Sequence, residues 1–127
     1  MKQRTTSISQ IRTVAIPVAD QERSLRFYTD VLGFEKTVDA PFGPGQRWIE
    51  VGPPGGGATL AIPPLGEAHP GIDTGIRFET GDAVTDHEAL QAAGVDVDAD
   101  ILRFPGVPPM FTLRDPDGNR LYVVERM

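Results

Sequence analysis

Thr13-Val14-Ala15-Ile16-Pro17-Val18-Ala19-Asp20, running on through Phe27-Tyr28 to Leu32-Gly33-Phe34, is the stretch that decides the fold. It opens as a β-strand, with Val14, Ile16 and Val18 on one face and Thr13, Ala15 and Pro17 on the other. Asp20 stands where a helix N-cap belongs, since a short carboxylate accepts from the free N–H groups of the first turn. A helix over 21–32 follows, with apolar residues at 25, 28, 31 and 32. Gly33 is placed to end it in the left-handed conformation that a Cβ disfavours. The plan recurs 62 positions on: Gly75-Ile76-Arg77-Phe78-Glu79-Thr80, an aspartate at 82, a helix over 83–93, then Gly94-Val95. Such an internal repeat predicts two half-modules that share a core and enclose a cavity.

Working outward, each helix is followed by three β-like runs, at about 34–39, 46–51 and 58–62 and again at about 96–102, 108–114 and 119–125; a strand over 72–80 opens the second copy. Pro/Gly-rich turns separate them at 41–45 and 53–57. Asp115-Pro116-Asp117-Gly118 fits a tight type I reversal, with proline second and glycine fourth. The pattern is βαβββ written twice. It predicts an α+β fold in which two modules form a cupped, mostly antiparallel sheet with helices on its outer face. Residues 1–127 read as a single domain of two repeats (about 10–63 and 72–126) joined by a Pro/Gly linker over 63–71, with residues 1–10 as a polar arm.

Composition narrows the function. The chain has 127 residues, 39% of them hydrophobic and none of them cysteine, which is enough for one core and leaves no disulfide, thiolate nucleophile or cysteine zinc site. A net charge of −6 speaks against a nucleic-acid partner, which needs clustered Lys and Arg. No apolar stretch approaches the ~20 residues of a membrane span, and the basic start Met1-Lys2-Gln3-Arg4 lacks the apolar segment of a secretory signal, so a cytoplasmic location is expected.

Val18-Ala19-Asp20, Ser24-Leu25-Arg26-Phe27-Tyr28 and Val31-Leu32-Gly33-Phe34, with the closing Asp115-Pro116-Asp117-Gly118-Asn119-Arg120-Leu121-Tyr122-Val123-Val124-Glu125, resemble the vicinal oxygen chelate superfamily. That superfamily holds glyoxalase I, extradiol dioxygenases, fosfomycin-resistance enzymes, methylmalonyl-CoA epimerase and bleomycin-resistance proteins. The resemblance spans about residues 10 to 126. It implies homodimers and, in metal-using members, four His, Gln or Glu ligands from the first and last strands of each half. Carried over, those positions are Thr13, Ala61, Gly75 and Tyr122. Alanine and glycine have no donor, a threonine hydroxyl is a poor lone ligand, and a tyrosine must first ionise. Their neighbours in sequence include no His, Asp or Glu, so the expectation is no metal and no other cofactor.

Period-two alternation then sketches the cup lining. If Val14, Ile16, Ile76, Phe78, Leu121 and Val123 pack under the helices, the other face presents Thr13, Ala15, Gly75, Arg77, Glu79, Arg120 and Tyr122. Trp48, Glu50, Thr59, Ala61, Met110, Thr112 and Arg114 join them from the later strands. The candidate ligand-binding set is Thr13, Trp48, Glu50, Ala61, Gly75, Arg77, Met110 and Tyr122, and the candidate catalytic residues are Glu50, Arg77 and Tyr122. Arg77 reads either as an anchor for an anion or as the ion-pair partner of Glu50 or Glu79. Glu50 is a general base if burial raises its pKa, and otherwise a counter-charge to arginine. Trp48 either stacks on a ligand or fills the core. Tyr122 either donates to a substrate or fills the volume of a lost metal. His87, on the second helix, and His69, in the linker, are expected to be structural and exposed, respectively. Gly55-Gly56-Gly57 reads as a hairpin turn, and the apolar loops with Phe42, Pro44, Phe104, Pro105, Val107, Pro108 and Pro109 as lids or a subunit contact.

The reading that follows is a metal-independent small-molecule binding protein of the bleomycin-resistance type, sequestering a ligand in a concave cavity. The alternative is a glyoxalase-like lyase or isomerase, or a dioxygenase-type enzyme, with a relocated metal site on Glu50 and Glu79 or a metal-free Glu50/Arg77 site.

Overall fold

The structure is a computed structural model, described for residues 5–41, 43–64 and 68–127. Its first module runs β1 (Thr13–Ala15), α1 (Gln21–Arg26) with a π-helical turn (Phe27–Val31), β2 (Glu35–Pro41), β3 (Arg47–Gly52) and β4 (Thr59–Ile62). The second runs β5 (Asp73–Thr80), α2 (Ala83–Ala92), β6 (Asp96–Val97), β7 (Leu102–Phe104), β8 (Val107–Arg114) and β9 (Arg120–Glu125). Each module builds its own sheet, ordered β1-β4-β3-β2 and β5-β9-β8-β6, with β7 added to β8. The first strand of each module pairs in parallel with its last, and the remaining pairings are antiparallel. This is the predicted pair of βαβββ modules in an α+β fold.

Local chemistry behaves as predicted at the helix ends. Asp20 accepts from the Arg23 amide at 3.1 Å and Asp82 from the Thr85 amide at 3.1 Å. Gly33 and Gly94 close the helices at φ 78° and 80°.

Three details differ. The first helix is not a continuous α-helix over 21–32: the Leu32 amide reaches back to the Phe27 carbonyl, a π turn that admits one extra residue. The wider turn buries both Phe27 and Tyr28 and leaves Val31 exposed. The opening strand stops at Ala15, because Pro17 has no N–H to donate; Ile16 and Val18 are buried, but Val14 is 36% exposed and faces the space between the modules. The run 96–102 is two short strands, β6 and β7, both on β8. Between them the Asp98 carbonyl is held at 2.7 Å by His87 on the buried face of α2, so that backbone group is taken out of the ladder. His69 is exposed, as expected. Phe42 and the linker residues 65–67 lie outside the described residues, as do residues 1–4 of the arm.

The core unites both halves. Ile49, Val51, Leu60 and Ile62 from the first sheet join Phe111, Leu113, Leu121 and Val123 from the second, with Phe27 and Tyr28. Phe34 and Phe78 meet edge to face at 5.2 Å across the modules.

The Asp115–Asn119 turn does more than reverse the chain. Its Gly118 amide bonds the Asp115 carbonyl at 2.9 Å, the predicted tight turn. The buried Asp115 carboxylate accepts four donors: the amides of Asp117 and Asn119, the Asn119 side-chain amide and the Tyr28 hydroxyl at 2.9 Å. Asn119 donates to the Pro17 carbonyl and accepts from the amides of Gly71 and Ile72. Asp117 accepts from the Ala19 amide, Arg23 and Ser24. One turn of the second module therefore grips both the β1–α1 connection and the helix of the first.

Burial, followed by the Asp115 carboxylate, drives the Tyr28 phenol pKa well above the 10.0 of a free tyrosine. The native state keeps this proton where the unfolded chain loses it, so its contribution is intact below pH 10 and lost as the pH rises further. Y28F is expected to lower unfolding stability at pH 7 by about 1.5–3 kcal/mol, the loss of a hydrogen bond to a charged group. It should also flatten the alkaline decline between about pH 9.5 and 11 by up to about 1.4 kcal/mol per pH unit, as read from urea titrations.

Candidate functional site

In β3, Ile49 and Val51 face the core, so Trp48 and Glu50 face the opposite, concave side. Glu50 is only 4% exposed although it is charged. Its carboxylate is held by the Trp48 indole N–H on Oε2 at 2.8 Å and the Thr59 hydroxyl on Oε1 at 2.8 Å, with Arg12 Nη2 4.0 Å from Oε2. These donors, led by the indole, outweigh desolvation and hold the Glu50 pKa below its ordinary value. Of the two sequence readings of Glu50, the condition for a general base, a pKa raised by burial, is not met, because burial here comes with two donors aimed at the charged form.

Around this pair, Ala61 lies across β3–β4 from Glu50 and is fully buried. Thr13 pairs with Thr59 across β1–β4 and donates to the Thr59 carbonyl at 3.1 Å. Thr13, Trp48, Glu50 and Ala61 thus form one cluster on the first sheet.

Arg77, Gly75 and Tyr122 form a second cluster on the other sheet. Arg77 lies opposite Tyr122 across β5–β9, and its guanidinium carbon sits 4.4 Å from the ring centroid. Its Nη1 donates to the Gly75 carbonyl at 2.8 Å. Among the described residues, Arg77 makes no ion pair with Glu50 or Glu79; Glu79 is paired with Arg126 at 3.1 Å. The expected Arg77–carboxylate pair is replaced by a cation–π stack, because the strand register sets Tyr122 beside it. The Tyr122 hydroxyl donates to Asp73 at 2.8 Å, and that bond, with a further one from the Gly75 amide, lowers the Asp73 pKa. Met110, half-buried on β8, pairs with Val124 of β9 and Leu102 of β7, two residues along the strand from Thr112, the partner of Tyr122.

Two cavities border these surfaces. One, of about 520 Å³, is walled by Gln10, Arg12, Thr37, Glu50 and Thr59. The other, of about 570 Å³, lies between the modules and has Thr59 on one side and Arg77 and Glu79 on the other. Both are within the usual range for small-molecule sites. Sequence reasoning missed Arg12 and Asp73 as partners of Glu50 and Tyr122. Neither carries a motif, and each meets its partner only through strand pairing.

The four positions that carry metal ligands in metal-using relatives do not fit a metal. They hold a threonine bound to a backbone carbonyl, a buried methyl group, a glycine and a phenol already donating to Asp73. Among the described residues no three His, Cys, Asp or Glu side chains converge closely enough to hold an ion.

The model of the Glyoxalase/Bleomycin resistance protein/Dioxygenase superfamily matches residues 10–123. The chain belongs to this superfamily. A structure of a member from Sphaerobacter thermophilus DSM 20745 is 33% identical, covers 95% of this chain and 100% of that one, and superposes with a TM-score of 0.88. TnmS3, an antibiotic binding protein from Streptomyces sp. CB03234, is 30% identical over 96% of this chain and 99% of its own, with a TM-score of 0.79. YetH of Bacillus subtilis (strain 168) is 32% identical over 120 residues, 88% of this chain and 94% of YetH. Among the described residues no helix is long and apolar enough to cross a membrane.

Glu50 and the single tryptophan report on each other. Because the folded Glu50 pKa is lowered from 4.5, its stabilising charge is present above that value and lost as the pH falls through the lower, folded one. Trp48 emission is expected to stay constant from pH 7 to about 4.5 and to change only below it. In E50Q this acid transition should be absent from the fluorescence titration.

Proposed function

We propose that this protein binds a small aromatic or cationic molecule on the concave side of its sheets and sequesters it there as a homodimer in the cytoplasm, without a metal. The observation that carries the reading is the Trp48–Glu50–Thr59 arrangement. The indole N–H donates to the buried, ionised carboxylate of Glu50, and Glu50 and Thr59 line a cavity of about 520 Å³. A ring held in place before the ligand arrives loses little freedom on binding, which favours affinity. The antibiotic-binding role of TnmS3, which shares the fold over nearly the whole chain, supports the same direction. The exposed Phe104 and Val107 at the β7–β8 turn give a second chain an apolar surface to cover.

An acid–base enzyme built on Glu50 is the weaker reading. A carboxylate with a lowered pKa and two fixed donors is a poor proton acceptor, and Arg77, its supposed partner, is committed to Tyr122.

The test is a panel of aromatic natural-product antibiotics, bleomycin among them, followed by thermal shift and Trp48 fluorescence. At least one should give saturable quenching with a Kd below about 100 μM, a binding free energy near −5.5 kcal/mol. W48L should weaken that ligand by about ten-fold or more, the loss of a stacked aromatic anchor. A panel without any shift overturns the proposal.

A further inference from the structure

We infer that Glu50 recognises a cationic group of the ligand, an ammonium, amidinium or guanidinium, and that Arg12 stands in for that group until the ligand displaces it. The inference rests on the small-molecule reading above and narrows it to a ligand class.

A carboxylate offers about four acceptor positions. Trp48 and Thr59 fill one on each Glu50 oxygen. Among the described residues the cation nearest to the rest is Arg12, whose Nη2 stays 4.0 Å away, beyond hydrogen-bond reach, on a side chain that is 77% exposed. Glu50 is thus a buried negative charge with unfilled acceptor capacity and a loosely attached counter-ion. Removing such a charge from water is unfavourable unless a cation compensates it closely. Arg12 does so incompletely, because most of its guanidinium remains solvated.

Both groups line the same cavity with Gln10, Thr37 and Thr59, so an entering cation meets Glu50 from the side that Arg12 now covers. Arg12 lies immediately before β1, in a segment whose neighbours Gln10 and Ile11 are exposed. Its side chain can leave without breaking the core. A ligand cation with a planar face would at the same time lie close to the residue that reports it, since Trp48 shares the Glu50 carboxylate. An anionic ligand would meet the Glu50 charge and be repelled.

The experiment titrates benzamidine, cationic at neutral pH, and benzamide, its uncharged counterpart, against the full chain by calorimetry and Trp48 fluorescence at low ionic strength. Benzamidine is expected to bind about ten-fold or more tightly than benzamide, the difference made by a charge-assisted bond. R12A is expected to strengthen benzamidine binding by about two- to five-fold, the weight of an exposed ion pair. That gain should shrink as salt is added. E50Q should erase the preference for benzamidine. R12A carries an exposed substitution and keeps the test valid if E50Q unfolds. Equal binding of the two probes, or R12A binding benzamidine unchanged or more weakly, overturns cation recognition while leaving small-molecule binding intact. No binding of either probe, together with no hit in the antibiotic panel, overturns both.

Discussion

One buried carboxylate holds the two halves of this protein in register. Asp115 sits in a tight turn of the second module, and all four of its acceptor positions are filled, one of them by Tyr28 from the first. Removing an acidic group from water is unfavourable unless each lone pair finds a donor, and here each does. Asn119 and Asp117 extend the grip to Pro17, Ala19, Arg23 and Ser24. No buried side-chain nitrogen or oxygen among the described residues lacks a partner. That turn ties together the two modules whose residues Thr59 and Arg77 border one cavity.

The concave faces follow a related rule with a different outcome. Trp48 donates to Glu50 and Tyr122 to Asp73, each at 2.8 Å, so both aromatic groups use a polar edge to fix the ring. Arg77 already covers the Tyr122 ring. Where a metal-using scaffold places lone pairs that converge on an ion, this one has turned its polar groups toward one another. The same geometry keeps Glu50 ionised, which suits an electrostatic contact better than proton abstraction.

Much of this was legible along the chain. Asp20 and Asp82 as caps, Gly33 and Gly94 as helix ends, and the 115–118 reversal depend on groups within a few residues, so their types and spacing suffice. The doubled βαβββ plan was legible because each strand repeats a period of two against a buried face. With Ile49 and Val51 in the core, that alternation sets Trp48 and Glu50 on the other face of β3. The alternation failed at Val14, where Pro17 cuts the strand short, and the helical phase failed at Phe27 and Val31, where a π turn admits an extra residue.

What the amino-acid order settled was the set of local shapes and which faces they turn inward, because those rest on short-range sterics, capping and hydrophobic alternation. The pairings that give the site its character came from the folded chain alone. Tyr28 meets Asp115 across 87 positions, Tyr122 meets Asp73 across 49, and Arg12 comes to Glu50 through the β1–β4–β3 ladder. A charged side chain with several possible partners takes the one that strand register brings within about 3–4 Å, and register is a property of the assembled sheets.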